Sequence, residues 1–506
     1  MKKLNEDTSK IEKEIMINKI LDKLICNRGI SKDKAIKKYL NGGIPDLYYP
    51  YLMKGMKQAG ELILQKIKEK KRIRIIGDYD VDGVMSSYIL HACLKRLGAI
   101  CDVMIPHRIK DGYGLNGRLV CQSYLDGVDT IITCDNGITS ITWVEIIKKL
   151  GMTVVITDHH DIQYSENKDG TREYILPPAD VVINPKQPGC LYPFKGLCGA
   201  GVAWKLVCYL YEKAEIPREE RYKFLEFVCL ATVSDVMDLT DENRILVKEG
   251  LKYLKNTENL GIRELISKNC LYQYNIDVDD IAFTLGPCLN ASGRLDTAEL
   301  SLELIETDDK ARAKELASRI KDLNENRKRI TTYWMDKTIK LVESTSLKDD
   351  KVLVIYLPEC NESIAGIVAG RLKEHYNKPV FVLTNSTYGL KGSGRSIESY
   401  KMYDEICKCK EYLTNFGGHQ MAAGISFADI KNLKLFKKRI NELCKLTDKD
   451  LVRKVDVDME ITLNNITKEF VECIDELKPF GKGNPKPSFM SKNLQVLSPR
   501  IIGKTK

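Results

Sequence analysis

Long apolar runs are missing from this 506-residue chain: no stretch of about eighteen uncharged hydrophobic residues occurs, so no membrane-spanning helix is expected. From Met1 to Lys23 the sequence is charged and helical in pattern, without the apolar core of a secretory signal. The sixteen cysteines lack the paired spacing of a zinc ribbon. The closest pair, Cys407-Lys408-Cys409, offers too few ligands to hold a metal alone, so reduced thiols in a cytoplasmic protein are expected. Neither sign of charge dominates, and a net +9 permits a polyanionic partner without requiring one. Proline and glycine are absent throughout 297–357, which leaves room for unbroken helix. Histidine is scarce, with six in the whole chain, so an adjacent pair is informative.

What is present centres on residues 72–87. An apolar run, Ile73-Arg74-Ile75-Ile76, stops at Gly77-Asp78-Tyr79-Asp80-Val81-Asp82-Gly83, and an amphipathic helical stretch follows. The run reads as a strand buried in a parallel sheet, with its carboxylates on the C-terminal turn, where open α/β sheets place ligands. Three acids so close repel one another unless a cation lies between them. A solvated acidic turn, with Gly83 starting a helix, is the simpler alternative. Two later stretches repeat the arrangement: Thr130 to Cys134 ends in Asp135-Asn136-Gly137, and Thr153 to Thr157 ends in Asp158-His159-His160. Three such strands converge on one sheet edge, where oxygen and imidazole ligands suit Mn²⁺, Mg²⁺, Fe²⁺ or Zn²⁺.

The length allows roughly three domains, and 43% hydrophobic residues suffice for several cores. Residues 1–60 look helical. Strands at 73–76, 101–105, 130–134, 153–156 and 179–183 alternate with helices, which argues for a doubly wound parallel sheet. Asp235, after the apolar run 227–231, is read either as a helix-end carboxylate or as an acid carried toward the metal edge. One or two long helices over 298–343 would bridge two lobes. A second α/β unit follows, with strands at 351–356 and 379–383. In it, Gly392-Ser393-Gly394-Arg395-Ser396 and Phe416-Gly417-Gly418-His419-Gln420 read either as ordinary turns or as loops that wrap phosphate. A small β domain is expected over 452–506, with strands at 455–463 and 494–502 and the turn-rich Pro479-Phe480-Gly481-Lys482-Gly483-Asn484-Pro485 between them.

Taken together, these stretches resemble the DHH phosphoesterase superfamily, and within it the RecJ-type single-strand-specific exonucleases. Thr232-Val233-Ser234-Asp235, Pro106-His107-Arg108 with Gly112-Tyr113-Gly114, and Asn290-Ala291-Ser292-Gly293-Arg294-Leu295 match as well, in the family's order from about residue 50 onward. The resemblance implies an N-terminal helical extension (1–60), a doubly wound DHH metal lobe (61–250) and a helical connector (251–345). A smaller α/β DHHA1 lobe (346–446) and an incomplete oligonucleotide-binding β domain (452–506) follow. It implies two Mn²⁺ or Mg²⁺ ions held by Asp80, Asp82, Asp135, His159 and Asp235, with Asp135 bridging. Asp78 is a further ligand or an acid behind the ligands. His160 faces the scissile phosphate, and with Asp135 forms the catalytic pair. Arg108, Arg294, Ser393, Arg395 and His419 grip phosphates. One departure falls at Asn361, where the family commonly has histidine, and it puts a substrate contact in doubt. The β domain also reads as short of a closed barrel.

The activity implied is metal-dependent 5′→3′ exonucleolytic hydrolysis of single-stranded DNA in recombination and repair. A single-strand-binding protein and a helicase are further implied partners, and no membrane is involved. Two-metal hydrolysis needs no covalent nucleophile, so Ser86 and Cys134 read as packing residues. Two alternatives stay open: a DHH phosphodiesterase acting on short oligonucleotides or dinucleotides, and a catalytically silent replication scaffold.

Overall fold

The computed structural model describes residues 18–167, 170–387, 389–495 and 497–500. In the first lobe, β1 (Arg72–Ile76), β2 (Ile100–Met104), β3 (Thr130–Cys134) and β4 (Thr153–Thr157) precede an exposed hairpin, β5 (Tyr164–Glu166) with β6 (Arg172–Tyr174), and then β7 (Val181–Ile183). The five long-sheet strands run parallel in the order β2-β1-β3-β4-β7. Period-two alternation divides each central strand between two cores. Ile131, Val154 and Ile156 join one, while Ile132, Val155 and Ile183 join the other. Helices therefore cover both faces, as the unbroken apolar runs require.

The chain leaves β1 in one direction to form β2 and returns in the other to form β3. The crevice between the C-terminal ends of β1 and β3 is thus the sheet's topological switch point. Asn136 Nδ2 spans it, donating to Ile76 O at 3.0 Å and Cys134 O at 2.9 Å.

The 34-residue helix Lys310–Glu343 is about 50 Å long at 1.5 Å per residue. Its early side chains Leu316, Ala317 and Ile320 lie in the first lobe's core, and Trp334 and Val342 lie in the second lobe's. The second lobe is a five-stranded mixed sheet of order β11-β12-β10-β9-β8. Its strands are β8 (Leu353–Tyr356), β9 (Val380–Ser386), β10 (Gly389–Arg395), β11 (Asn415–Gly418) and β12 (Ala422–Phe427). Both glycine-rich stretches predicted as turns or loops are therefore largely strand. Glycine suits β10 because the sheet is closely covered: a Cβ on Gly394 would lie 2.5 Å from Met402 Sδ, and one on Gly392 would lie 2.7 Å from Leu383 Cγ.

The C-terminal part also differs from expectation. Among the described residues of the predicted strands 455–463 and 494–502, only β13 (Met459–Glu460) forms, paired in parallel with β14 (Phe489–Met490). Ile501 and Ile502 lie outside the described residues, as does the predicted helix over residues 1–17. Several of this segment's apolar side chains pack instead on the N-terminal helix 18–27: Ile461, Phe470, Leu477 and Phe480 share a core with Ile20, Leu24 and Ile25.

Candidate metal centre

Each expected acid sits where a strand or helix ends. Asp80 caps the helix Val81–Arg96, its Oδ1 accepting from Gly83 N at 3.1 Å. Asp82, two residues on in the first turn, is buried, and its two oxygens accept from Gly199 N (2.6 Å) and Ala200 N (2.7 Å) at the start of the helix Gly199–Lys213. Asp135 follows β3 at φ 61°, a left-handed conformation that a non-glycine residue holds only when its surroundings enforce it. Gly199 is part of that enforcement, since a Cβ there would stand 2.6 Å from Asp135 Cβ. Asp235 is the C-cap of the helix Leu225–Ser234.

These elements gather the side chains into three overlapping groups: Asp78 with Asp80 and Asp135, Asp82 with His159 and Asp235, and Asp135 with both histidines. His159 Nε2 lies 3.0 Å from Asp135 Oδ1, 3.6 Å from Asp82 Oδ2 and 3.8 Å from Asp235 Oδ2. Within the protein this cluster is only partly compensated, through the backbone N–H groups on Asp80 and Asp82. Asp78 Oδ1, Asp135 Oδ1 and both ring nitrogens of His159 are buried without a hydrogen bond. Burial, reinforced by the neighbouring carboxylates, pushes Asp78, Asp135 and Asp235 well above the usual carboxylate range. Burial also lowers His159, favouring the neutral imidazole that ligates metal. Five carboxylates and a neutral imidazole, with orphaned buried oxygens and nitrogens, fit divalent cations and fit nothing apolar.

Two residues behind the cluster were not singled out from the sequence. Asp158 is fully buried and aimed away from it, accepting from Ile138 N (2.9 Å), His159 N (2.7 Å), His160 N (3.1 Å) and His160 Nδ1 (2.8 Å). Despite its burial, the His160 contact holds Asp158 down at about 2; despite its own burial, His160 is raised to about 9. Tyr113 OH donates to Asp135 O at 2.9 Å and lies 3.1 Å from His160 Nδ1. Asp158 was visible as the acid preceding the histidine pair; Tyr113 had no signal beyond its glycine-flanked loop.

A cavity of about 280 Å³ opens on the cluster. Asp78, Asp80, Asp135, Asp235 and His160 line one side, and Arg108, Arg294 and Asn290 also line it. Arg108 stacks on Tyr79 at 3.8 Å, and its buried Nε has no partner. Arg294 Nη1 reaches only a carbonyl, Ser363 O at 2.8 Å. Burial and then the nearby Arg108 and Arg327 lower Arg294 to about 9. Ser393 and Arg395, two apart on β10, share a face against the helix Glu362–Tyr376. A Cβ on Gly366 there would meet Arg395 Nη2 at 3.0 Å and Ser393 Oγ at 3.3 Å. Arg395 Nη1 reaches its neighbour Gly394 O, and burial lowers its pKa. Among the described residues, none of these three arginines has a carboxylate partner within salt-bridge distance. Ser393, Arg395 and His419 lie outside the cavity lining. His419 is exposed, with Nδ1 3.5 Å from Asp161 Oδ2 beside the histidine pair. Asn361 caps the helix Glu362–Tyr376: its Oδ1 accepts from Ser363 N (2.9 Å) and lies 2.7 Å from Ser363 Oγ, which is 2.8 Å from Arg294 O.

Comparison with known proteins agrees along the chain. The DHH family N-terminal domain matches residues 72–232, the DHHA1 domain 349–446 and the RecJ OB domain 457–506. The chain is 35% identical to the single-stranded-DNA-specific exonuclease RecJ of Bacillus subtilis over 98% of its own length and 61% of that protein's. It is 31% identical to the Escherichia coli enzyme of the same name, covering 96% of this chain and 85% of that one. The crystal structure of Thermus thermophilus RecJ in complex with Mn²⁺ superposes with a TM-score of 0.79 at 28% identity, over 93% of this chain and 66% of that chain. A manganese-bound exonuclease RecJ gives a TM-score of 0.65 at 31% identity, over 77% and 94% respectively. The chain thus spans about three-fifths of the Bacillus relative it matches.

Proposed function

The chain belongs to the RecJ family of DHH proteins, and from that membership we propose that it is a metal-dependent exonuclease that degrades single-stranded DNA from the 5′ end. The observation that carries this reading is the single cavity in which a partly compensated carboxylate–imidazole cluster meets arginines free of carboxylate partners. A phosphodiester completes both halves.

Asp82, His159 and Asp235 would hold one cation and Asp78 and Asp80 the other, with Asp135 shared. Mn²⁺ or Mg²⁺ bound there supplies Lewis acidity that activates water and offsets charge on the attacking and leaving oxygens. The protein's own part is placement. Arg108 and Arg294 hold the scissile phosphate against the acids. His160 is anchored through Nδ1 by Asp158 and Tyr113, which leaves Nε2 for a phosphate oxygen. Ser393 and Arg395 take the 5′-terminal phosphate, and His419 a phosphate at the open mouth of the cleft. The cationic wall makes binding salt-sensitive.

A single-strand-specific enzyme in recombination and repair depends on strand separation, so a helicase and a single-strand-binding protein are its proposed partners, in the cytoplasm. Turnover on a long single strand should far exceed turnover on dinucleotides. Faster hydrolysis of dinucleotides would replace this reading with that of a short-substrate phosphodiesterase.

A further inference from the structure

The stretch Pro479-Phe480-Gly481-Lys482-Gly483-Asn484-Pro485 has no part in the chemistry above, yet it presses on the loop that carries Asp235. That loop, 235–240, joins the helix Leu225–Ser234 to the helix Asp241–Lys255. Its second residue, Val236, sits at φ 55°, where a β-branched side chain does not rest without outside support. Val236 is held in part by the helix end, with Val236 N donating to Val233 O at 3.2 Å and Met237 N to Thr232 O at 3.1 Å, and the rest of the loop is held from two sides. Leu239 N donates to Lys482 O at 2.7 Å, and Lys482 Nζ lies 3.3 Å from Asp238 Oδ1. The backbone approaches so closely that a Cβ on Gly481 would lie 2.7 Å from Leu239 Cδ1. One on Gly483, which is at φ 73°, would lie 3.0 Å from Asp238 Cβ. From the other side Asn243 Nδ2 holds Asp238 O (3.1 Å) together with Gly196 O (2.6 Å).

The pressing stretch is itself fixed. Buried Arg244 donates to Leu477 O at 2.9 Å and Lys478 O at 2.7 Å. Asn484, also buried, donates to Leu477 O (2.8 Å) and Pro479 O (2.7 Å), while its Oδ1 accepts from Arg28 Nε (2.7 Å) and Tyr39 OH (2.9 Å). Contacts therefore run without a gap from the N-terminal helix, through this stretch, to Asp238 and Leu239 in the loop that starts at Asp235.

We infer that residues 479–485 form a brace that positions Asp235 for the cation it holds, with Lys482 and Gly483 as its positioning residues. This rests on Asp235 being a metal ligand. The Leu239–Lys482 bond and the close glycine approaches fix the path of the loop after Asp235, beyond what the helix cap sets at Val236.

The test is Mn²⁺ titration of the full chain without DNA, by calorimetry and by Mn²⁺ electron paramagnetic resonance, alongside thermal unfolding. Asp235→Ala should lose one of two ions. Gly483→Ala should weaken that same ion about tenfold, the scale on which residues supporting a ligand act, and spare the other. Lys482→Ala should move it in the same direction by less, and Lys482→Arg should restore it. If Gly483→Ala does not fold, the Lys482 pair carries the test. Wild-type affinity for both ions in folded Gly483→Ala and Lys482→Ala would overturn the brace while leaving Asp235 a ligand. Retention of both ions by Asp235→Ala would overturn the ligand role, and the brace with it.

Discussion

Asp135 is the residue on which most of the site depends. It is buried, held at positive φ, wedged against Gly199, and shared between two of the acidic groups. Solvent cannot replace a shared carboxylate without separating the cations, so Asp135→Ala should abolish binding of both Mn²⁺ ions in a calorimetric titration. His160→Ala should bind both and lose turnover by about 10²–10⁴-fold, the usual worth of a positioned proton-transfer or phosphate-contacting group. Loss of metal by His160→Ala with retention by Asp135→Ala would reverse this division. A second residue-scale expectation lies away from the site. His91 Nδ1 is 2.5 Å from Glu306 Oε1, and despite its burial this pairing and Cys101 raise it to about 9. A folded-state pKa above the unfolded value of about 6.5 means the contribution is complete below pH 6.5 and is lost as pH rises through 9. With Glu306 partly exposed, on the order of 1 kcal/mol is at stake. The unfolding midpoint should fall over that window in the native chain, and Glu306→Gln should flatten the fall. At this scale the sequence was informative about which acids and histidines the fold gathers, because each follows an apolar strand or helix run that carries it to one sheet edge. It marked the stretch Gly112-Tyr113-Gly114 without giving Tyr113 a role, which emerges only when the fold brings its loop to the end of β3.

The first sheet's elements were readable from period and length: each predicted strand forms within a few residues of its expected bounds. β10 was not, because glycine is depleted in strands and Gly392 and Gly394 resemble a turn. Their role depends on Leu383, Phe381 and Met402, which are close only after folding. The correction sharpens the functional reading. In a turn Ser393 and Arg395 could point anywhere; on a strand they share one face by the two-residue repeat, opposite Gly366. Arg395→Ala should therefore slow digestion of 5′-phosphorylated strands more than of strands with a 5′ hydroxyl, measured as kcat/KM on matched substrates. Equal losses would make Arg395 a general backbone contact. Gly366→Ala, which crowds the Arg395 guanidinium, should give a weaker form of the same preference.

At the scale of the whole molecule, the two lobes share the helix Lys310–Glu343 and the Arg294–Ser363 contacts, and the cavity opens beside that seam. Arg294→Ala should reduce the salt slope of single-strand binding by roughly one unit, as loss of one phosphate contact does. From the sequence the C-terminal segment reads only as an incomplete β domain, with no partner named for it. The structure packs it on the N-terminal helix and against the loop beside Asp235, a relation between distant stretches that no local pattern encodes. Cations in the cavity and a 5′-phosphate on the β10 face outside its lining would act together on one end of a single strand. The most direct measurement is digestion of single-stranded and duplex DNA labelled at either end, with Mn²⁺, Mg²⁺ or chelator. The expected result is early release of 5′ label as mononucleotide from single strands with Mn²⁺ or Mg²⁺, slow attack on duplex, and none with chelator. Release of 3′ label first, or activity that survives chelation, would contradict it.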